Sequence, residues 1–261
     1  METSILPMVE EKRDPIGEEY YKPLLCADHL GDGLFLVSAV LSIAALLVDK
    51  SSYPSVYEVV HITFVLSVIA LFATNVSIRL YFFPRAQIAR YRDFLAHAYD
   101  KQLSHKMTAA YYNNSATTVA ARIAAQVLES TFFTKGILSH MARSERLKVA
   151  GYSLFWFGAV FHRTTGLEFI AVVAQIVFSE QLLSRWLRFE AYKSDCEKIY
   201  AEFYRLFQQN KAKIDLASTE FLGRYEIVKA TTALSLSSSV FNRERAALGA
   251  EWDEVRKTLG I

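Results

Sequence analysis

The chain has 261 residues, with 29 Lys and Arg against 27 Asp and Glu. The net charge of +2 singles out no partner class, because the placement of charge matters more than its sum. Hydrophobic residues make up 52% and the mean hydropathy is +0.16, above an ordinary globular protein and below a transporter that lies almost wholly in the bilayer. With only 10 Gly and 5 Pro, the chain lacks the punctuation of a turn-rich β fold, and long helices are expected.

Residues 1–30 read as a cytosolic lead-in, loose apart from a short amphipathic turn around Glu18-Glu19-Tyr20-Tyr21 and broken by Pro7, Pro15 and Pro23. No basic region leads into a short apolar core there, so no cleaved signal peptide is expected. Residues 31–83 form the first transmembrane hairpin. Two apolar runs without Lys, Arg, Asp or Glu flank the polar turn at 49–58, and 59–78 supplies the roughly 20 residues that a span needs. Small residues at Ser38, Ser42 and Ala45 in one run, and at Ser67, Ala70, Thr74 and Ser77 in the other, let two helices approach closely.

Residues 84–148 form a cytosolic helical insert. Pro84 stops the second span or marks its exit, and 85–102 reads as a surface helix with Ile88, Tyr91, Leu95 and Tyr99 on one face. A loop-like stretch follows, and then a helix from 117 to about 141 with Gly136 as a possible break. Tyr111, Tyr112, Asn113, Asn114 and Arg122 combine rings, amides and a guanidinium, which suits them to a base and a phosphate; tyrosines before a turn also serve as simple packing.

Residues 149–184 are a second apolar block turning at 162–166, either a second crossing hairpin or one that enters without crossing; the symmetry of its flanks favours crossing. Within or beside the spans lie the polar residues Asn75, Arg79, Gln175 and Glu180, candidates for a pore lining or latch, with an Arg79–Glu180 contact between the hairpins geometrically reasonable. Residues 185–261 form a C-terminal cytosolic region, led by a helix whose Trp186, Phe189, Lys193, Cys196, Tyr200, Phe203 and Phe207 recur by three and four. Two further helices follow, over 219–235 and 242–259. Residues 90–96 and 185–191 echo each other, each placing Arg, an aromatic, Phe and Ala at matching steps.

Basic residues cluster at one end of both hairpins: Arg79, Arg85, Arg90 and Arg92; Arg143, Arg146 and Lys148; Arg185, Arg188 and Lys193. The opposite turns hold only Lys50 and Arg163. The positive-inside rule then places both termini in the cytoplasm of a multi-pass protein. Cys26 and Cys196 read as free thiols of a reducing compartment. The chain carries no phosphate-binding glycine loop, HExxH or GxSxG motif or cysteine pair, so no enzyme, catalytic residue, metal or cofactor is expected.

The paired short-turn hairpins, the exits Arg90-Tyr91 and Arg185-Trp186, the helical insert and the long helix after the last span resemble those of the bacterial SLATT and SMODS-associated four-transmembrane effector proteins. The resemblance is one of architecture and covers most of 34–209. It implies an all-α membrane protein of four spans in the bacterial inner membrane. It further implies a homo-oligomer that sits beside a nucleotide second-messenger synthase in antiphage defence and breaches the bilayer when a cyclic nucleotide or a partner protein triggers it, with no nucleic acid as partner. The rival expectation is a non-conducting membrane-anchored scaffold whose cytosolic helices recruit a protein.

Overall fold

The computed structural model describes residues 13–103, 105–109, 111–112, 114, 116–161, 166–177, 179–209 and 214–261. Among the described residues the protein is all-helical, 86% helix, with no strands. The helices are α1 (Lys22–Leu47), α2 (Pro54–Ser77), α3 (Phe83–Tyr99), α4 (Val119–Phe161), α5 (Leu167–Val177), α6 (Arg185–Gln209), α7 (Ile214–Thr232) and α8 (Ser238–Leu259).

Among the described residues, three helical stretches are long and apolar enough to cross a membrane, Gly17–Leu47, Pro54–Tyr99 and Phe169–Gln208. The first two outrun their apolar cores because prolines do not stop them. A π-helical turn, Gly17–Tyr21, leads into α1, and another, Ile78–Phe82, joins α2 to α3. In each turn a backbone N–H reaches five residues back, Lys22 to Gly17 and Phe83 to Ile78. Pro23 and Pro84 follow directly, at the second residue of the next α segment. A residue without an N–H thus falls where the helical ladder is already changing register, and its missing bond costs little. Residues 17–30 are therefore helix continuous with α1, where the sequence suggested a loose lead-in, and Pro84 marks an exit without ending the helix.

α1 ends at Val48, whose backbone is extended. The Asp49 carboxylate then accepts from Ser51 N (3.1 Å), Ser52 N (3.2 Å) and Ser52 Oγ (2.7 Å), closing a tight turn before Pro54 starts α2. These donors, the Ser52 hydroxyl first, hold that carboxyl below its ordinary range. α1 and α2 pack with Ser38 against Ser67, their hydroxyls 2.9 Å apart and buried. Most other hydroxyls of the pair turn inward on their own helix, Ser42 to Ala39 O and Thr74 to Ala70 O at 2.8 Å each. The outer faces are apolar: Leu36, Val40, Val59, Ile62 and Phe72 each leave more than half of their surface open.

α4 is one unbroken helix of 43 residues. It runs past Gly136, and it carries the insert into the apolar stretch at 149–161 without a boundary at 148. Gly136 serves a close approach here, because a Cβ on it would stand 2.7 Å from Leu248 Cδ2 of α8. Helical hydrogen bonding tolerates an isolated glycine at about 1 kcal/mol, so with no proline nearby nothing forces a break.

The core lies between α4, α6 and α7, with α3 and α8 closing it. Phe189, Tyr192, Cys196, Ile199, Phe203 and Phe207 form the buried stripe of α6. Its partners are Val127, Leu128 and Leu138 of α4 and Phe221, Leu222 and Tyr225 of α7. Phe203 stacks on Phe221 with centroids 4.4 Å apart, and Thr134 Oγ1 lies 2.9 Å from the Tyr225 hydroxyl, so the polar tip of a buried ring is satisfied across α4 and α7. Burial holds the Tyr225 phenol well above its ordinary pKa.

Candidate functional site

Two polar sites interrupt this scheme, one where the apolar helices meet the packed bundle and one around the segment between α3 and α4. The first is a charged collar. It surrounds a cavity of about 60 Å³ lined by Asp28, Asp32, Asn75, Arg79, Glu180, Arg185 and Arg188, among others. Each element brings one part. α1 supplies Asp28 and Asp32, one helical turn apart; the end of α2 supplies Asn75, with Arg79 one turn on; the π turn Glu180–Ser184 and the start of α6 supply Glu180, Arg185 and Arg188.

Arg79 is ion-paired with Glu180, and Arg188 stands 3.8 Å from the same carboxylate oxygen. Arg185 is paired with Asp32. Arg188 Nη1 donates to the carbonyl of Thr232 at 3.2 Å, and the Ser235 hydroxyl donates to Asp28. The collar thus ties α1, α2 and α6 to the joint between α7 and α8. Arg79 and Glu180 remain 50% and 43% exposed, so their pair is a solvated contact of about 0–1 kcal/mol that can open readily. Arg188 Nε is buried with no hydrogen-bond partner. The carbonyl oxygen of Asn75 borders Gly31, where a Cβ would lie 3.7 Å from it, so an amide and a glycine share this crossing of α1 and α2.

The α7–α8 joint is strained at the point that the collar holds. Ala233 has φ 46°, in the left-handed region that a side chain with a Cβ disfavours. Ala233→Gly is expected to stabilise the protein by about 0.5–1 kcal/mol, read as a raised unfolding midpoint in detergent, since glycine adopts this conformation at little cost.

Of the polar span residues, Asn75, Arg79 and Glu180 come together in the collar. Gln175 does not; it lies on α5, exposed, one turn beyond Ala171 on the same open face. The residues that sequence reasoning missed are Asp28, Asp32 and Ser235, with Arg185 and Arg188 read only as membrane-flanking charge. The spacing of Asp28 and Asp32 just before an apolar run was the available signal, but their partners lie more than 150 positions away in the chain.

The second site gathers the residues picked out at 111–122. Tyr111 turns to Arg90, whose guanidinium lies 4.6 Å from its ring, 5.3 Å from that of Tyr21 and 2.8 Å from Asp14. Tyr112 packs edge-on to Phe94 (5.7 Å) and His97 (5.3 Å). Burial raises the pKa of both phenols. The loop before them is pinned by Asp93, fully buried, whose carboxylate accepts from Thr108 N (2.9 Å) and Thr108 Oγ1 (2.7 Å). Tyr112, Asn114 and Arg122 line an open cleft of about 450 Å³. Tyr111 faces the Arg90 clamp instead, and Asn113 lies outside the described residues. No group of three or more His, Cys, Asp or Glu side chains suited to a metal ion occurs among the described residues.

Comparisons with protein-family models, curated proteins and solved structures return no match for this chain. The class that fold and site define is therefore a helical protein with, among the described residues, three apolar helical stretches of spanning length, joined to a packed bundle through a charged collar.

Proposed function

We propose that the protein is an effector of the bacterial inner membrane that oligomerises and permeabilises the bilayer when its cytosolic helices receive a trigger, as in antiphage systems that signal through nucleotide second messengers. The observation that carries this reading is the collar. The ends of α1, α2 and α6 are tied to one another by ion pairs, and to a strained joint of the cytosolic bundle by the Arg188–Thr232 and Ser235–Asp28 hydrogen bonds, so a rearrangement of the bundle has a direct mechanical route to the apolar helices.

In this reading both termini are cytoplasmic, and the apolar end of α4 pairs with α5 as a second crossing hairpin, giving four spans. Leu154, Phe155 and Phe161 are exposed on that end of α4, which suits contact with lipid, and α5 packs against both α4 and α1. Gln175 supports oligomerisation, because an amide left open on an apolar helix is costly in hydrocarbon and finds a partner on a neighbouring copy.

One observation favours the rival reading of a non-conducting anchor. The outer faces of α1 and α2 are apolar throughout, and Ser38 and Ser67 are already spent on packing the two together. Release of a trapped dye from vesicles of bacterial lipid separates the two. The effector reading expects protein-dependent release that rises with cyclic nucleotide or with the partner protein. Sealed vesicles under every trigger, with the protein inserted, would leave only the anchor.

A further inference from the structure

We propose that the cleft between the end of α3 and the start of α4 binds a small soluble ligand carrying both an anionic oxo group and an amino group. This deepens the effector reading by naming what the cytosolic bundle senses.

The cleft is bipolar. On one side α4 begins, with the Thr118 hydroxyl accepting from Ala121 N at 3.3 Å and the Thr118 carbonyl from Arg122 N at 2.9 Å. The N–H groups of Val119 and Ala120 precede the first helical bond, at the positive end of a 43-residue helix. Arg122 adds a full charge; its Nε donates to Ala116 O at 3.0 Å, and its two terminal nitrogens have no partner among the described residues. On the other side α3 ends at Asp100, held in the left-handed conformation (φ 53°) by its N–H bond to Ala96 O. The carbonyl end of that helix and the Asp100 carboxylate favour a cation or an N–H donor. An anion alone would leave the Asp100 side unmatched, and an amine alone would leave the Arg122 side so.

An independent observation comes from Gln126, one turn beyond Arg122 in the lining of the same cleft. It is 1% exposed, and its side-chain oxygen has no hydrogen-bond partner. A buried amide oxygen without a partner costs about 1–3 kcal/mol, and a leucine at that position would avoid the cost. The last torsion of a glutamine has a broad, roughly two-fold preference, so a turn about it would present the oxygen to a donor in the cleft. Tyr112 and His97 supply a wall of rings, and Asn114 a further amide. A cleft of about 450 Å³ fits a molecule the size of an amino acid derivative or a nucleotide.

The ligand is soluble and not a lipid headgroup. Arg122 lies 27 residues before the apolar stretch at 149, roughly 40 Å along the axis of α4 at 1.5 Å per residue.

Calorimetric titration of the full chain in detergent micelles tests the assignment with three probes. Adenosine 5′-monophosphate and L-phosphoserine each carry a phosphate and an amino group, of purine and ammonium type, and ribose 5-phosphate carries the anion alone. One of the first two is expected to bind about tenfold or more tightly than ribose 5-phosphate, and which one identifies the source of the amine. Arg122→Gln should weaken both that probe and ribose 5-phosphate. Asp100→Asn, which keeps a residue tolerant of the left-handed conformation, and Gln126→Leu should each bring the amino-bearing probe down to the ribose 5-phosphate level. The proposal is overturned if no probe binds in the millimolar range, if ribose 5-phosphate binds as well as the others, or if the variants bind as the wild type does. A Gln126→Leu protein that melts higher with its binding unchanged would make Gln126 a core amide only. Binding is read apart from leakage, so the cleft can fail while the effector reading stands, and the reverse.

Discussion

Glu180→Arg is expected to change dye release from vesicles about tenfold relative to the wild type, and adding Arg79→Glu is expected to restore it in part. The Glu180 carboxylate serves two guanidiniums, those of Arg79 and Arg188. Reversing its charge replaces two attractions with two repulsions and leaves the Arg185–Asp32 pair beside a cluster of like charge. Each contact is worth only about 0.2–1 kcal/mol at this exposure. Together they shift the closed collar by roughly 1.4 kcal/mol, which is tenfold in a two-state equilibrium. The double variant rebuilds the Arg79–Glu180 contact with its poles exchanged but leaves the repulsion from Arg188, so partial recovery assigns that share of the effect to the Arg79–Glu180 pair. Equal release from all three proteins would remove the collar from the mechanism.

Phe203→Ala is expected to cost about 3–5 kcal/mol of bundle stability, since deleting a buried aromatic ring loses its transfer energy and leaves a cavity. Phe203 is fully buried, stacks on Phe221 and neighbours Phe207 at 5.3 Å, at the place where α6 meets α7. Against a total stability of about 5–15 kcal/mol, the loss is enough to loosen α7 and α8 at moderate denaturant. Limited proteolysis should cut the variant within 210–261 while the apolar helices remain in the membrane fraction, because lipid and not the bundle core stabilises them. Simultaneous loss of the membrane fraction would show that the two parts fold as one unit.

The helical character, the apolar pair α1 and α2 with its polar turn, and the buried stripe of α6 were all legible in the sequence. Each is a periodicity, and periodicity is a local property. The Ser38–Ser67 contact was half legible: small residues were visible on both runs, but the register that brings these two together was not. The helix boundaries were harder. Pro23 and Pro84 look like stops, yet a π turn before each one absorbs the missing donor; Gly136 looks like a break, yet it is a contact point for Leu248. In all three cases one residue type has two physical uses, and only the neighbouring element decides between them.

The polar sites divide the same way. Tyr111 and Tyr112 are adjacent in sequence, but Arg90 and Asp14 draw the first into a clamp, while Phe94 and His97 set the second on the wall of the cleft. Gln126 gave no sign at all, because an amide within a helical run is ordinary until it is found buried without a partner.

The sequence by itself determined what this protein is made of, long apolar helices and an amphipathic bundle with basic flanks, because hydrophobic period and charge placement act within a few turns of helix. Only the tertiary structure decided which charges meet. Asp28 and Ser235, and Asp32 and Arg185, are brought together by the packing of helices far apart in the chain, whereas the Arg79–Glu180 pair was already suggested by the matching ends of the two hairpins. Coulomb attraction over a few ångströms selects among neighbours that the fold has already supplied, and so the collar and the cleft belong to the fold.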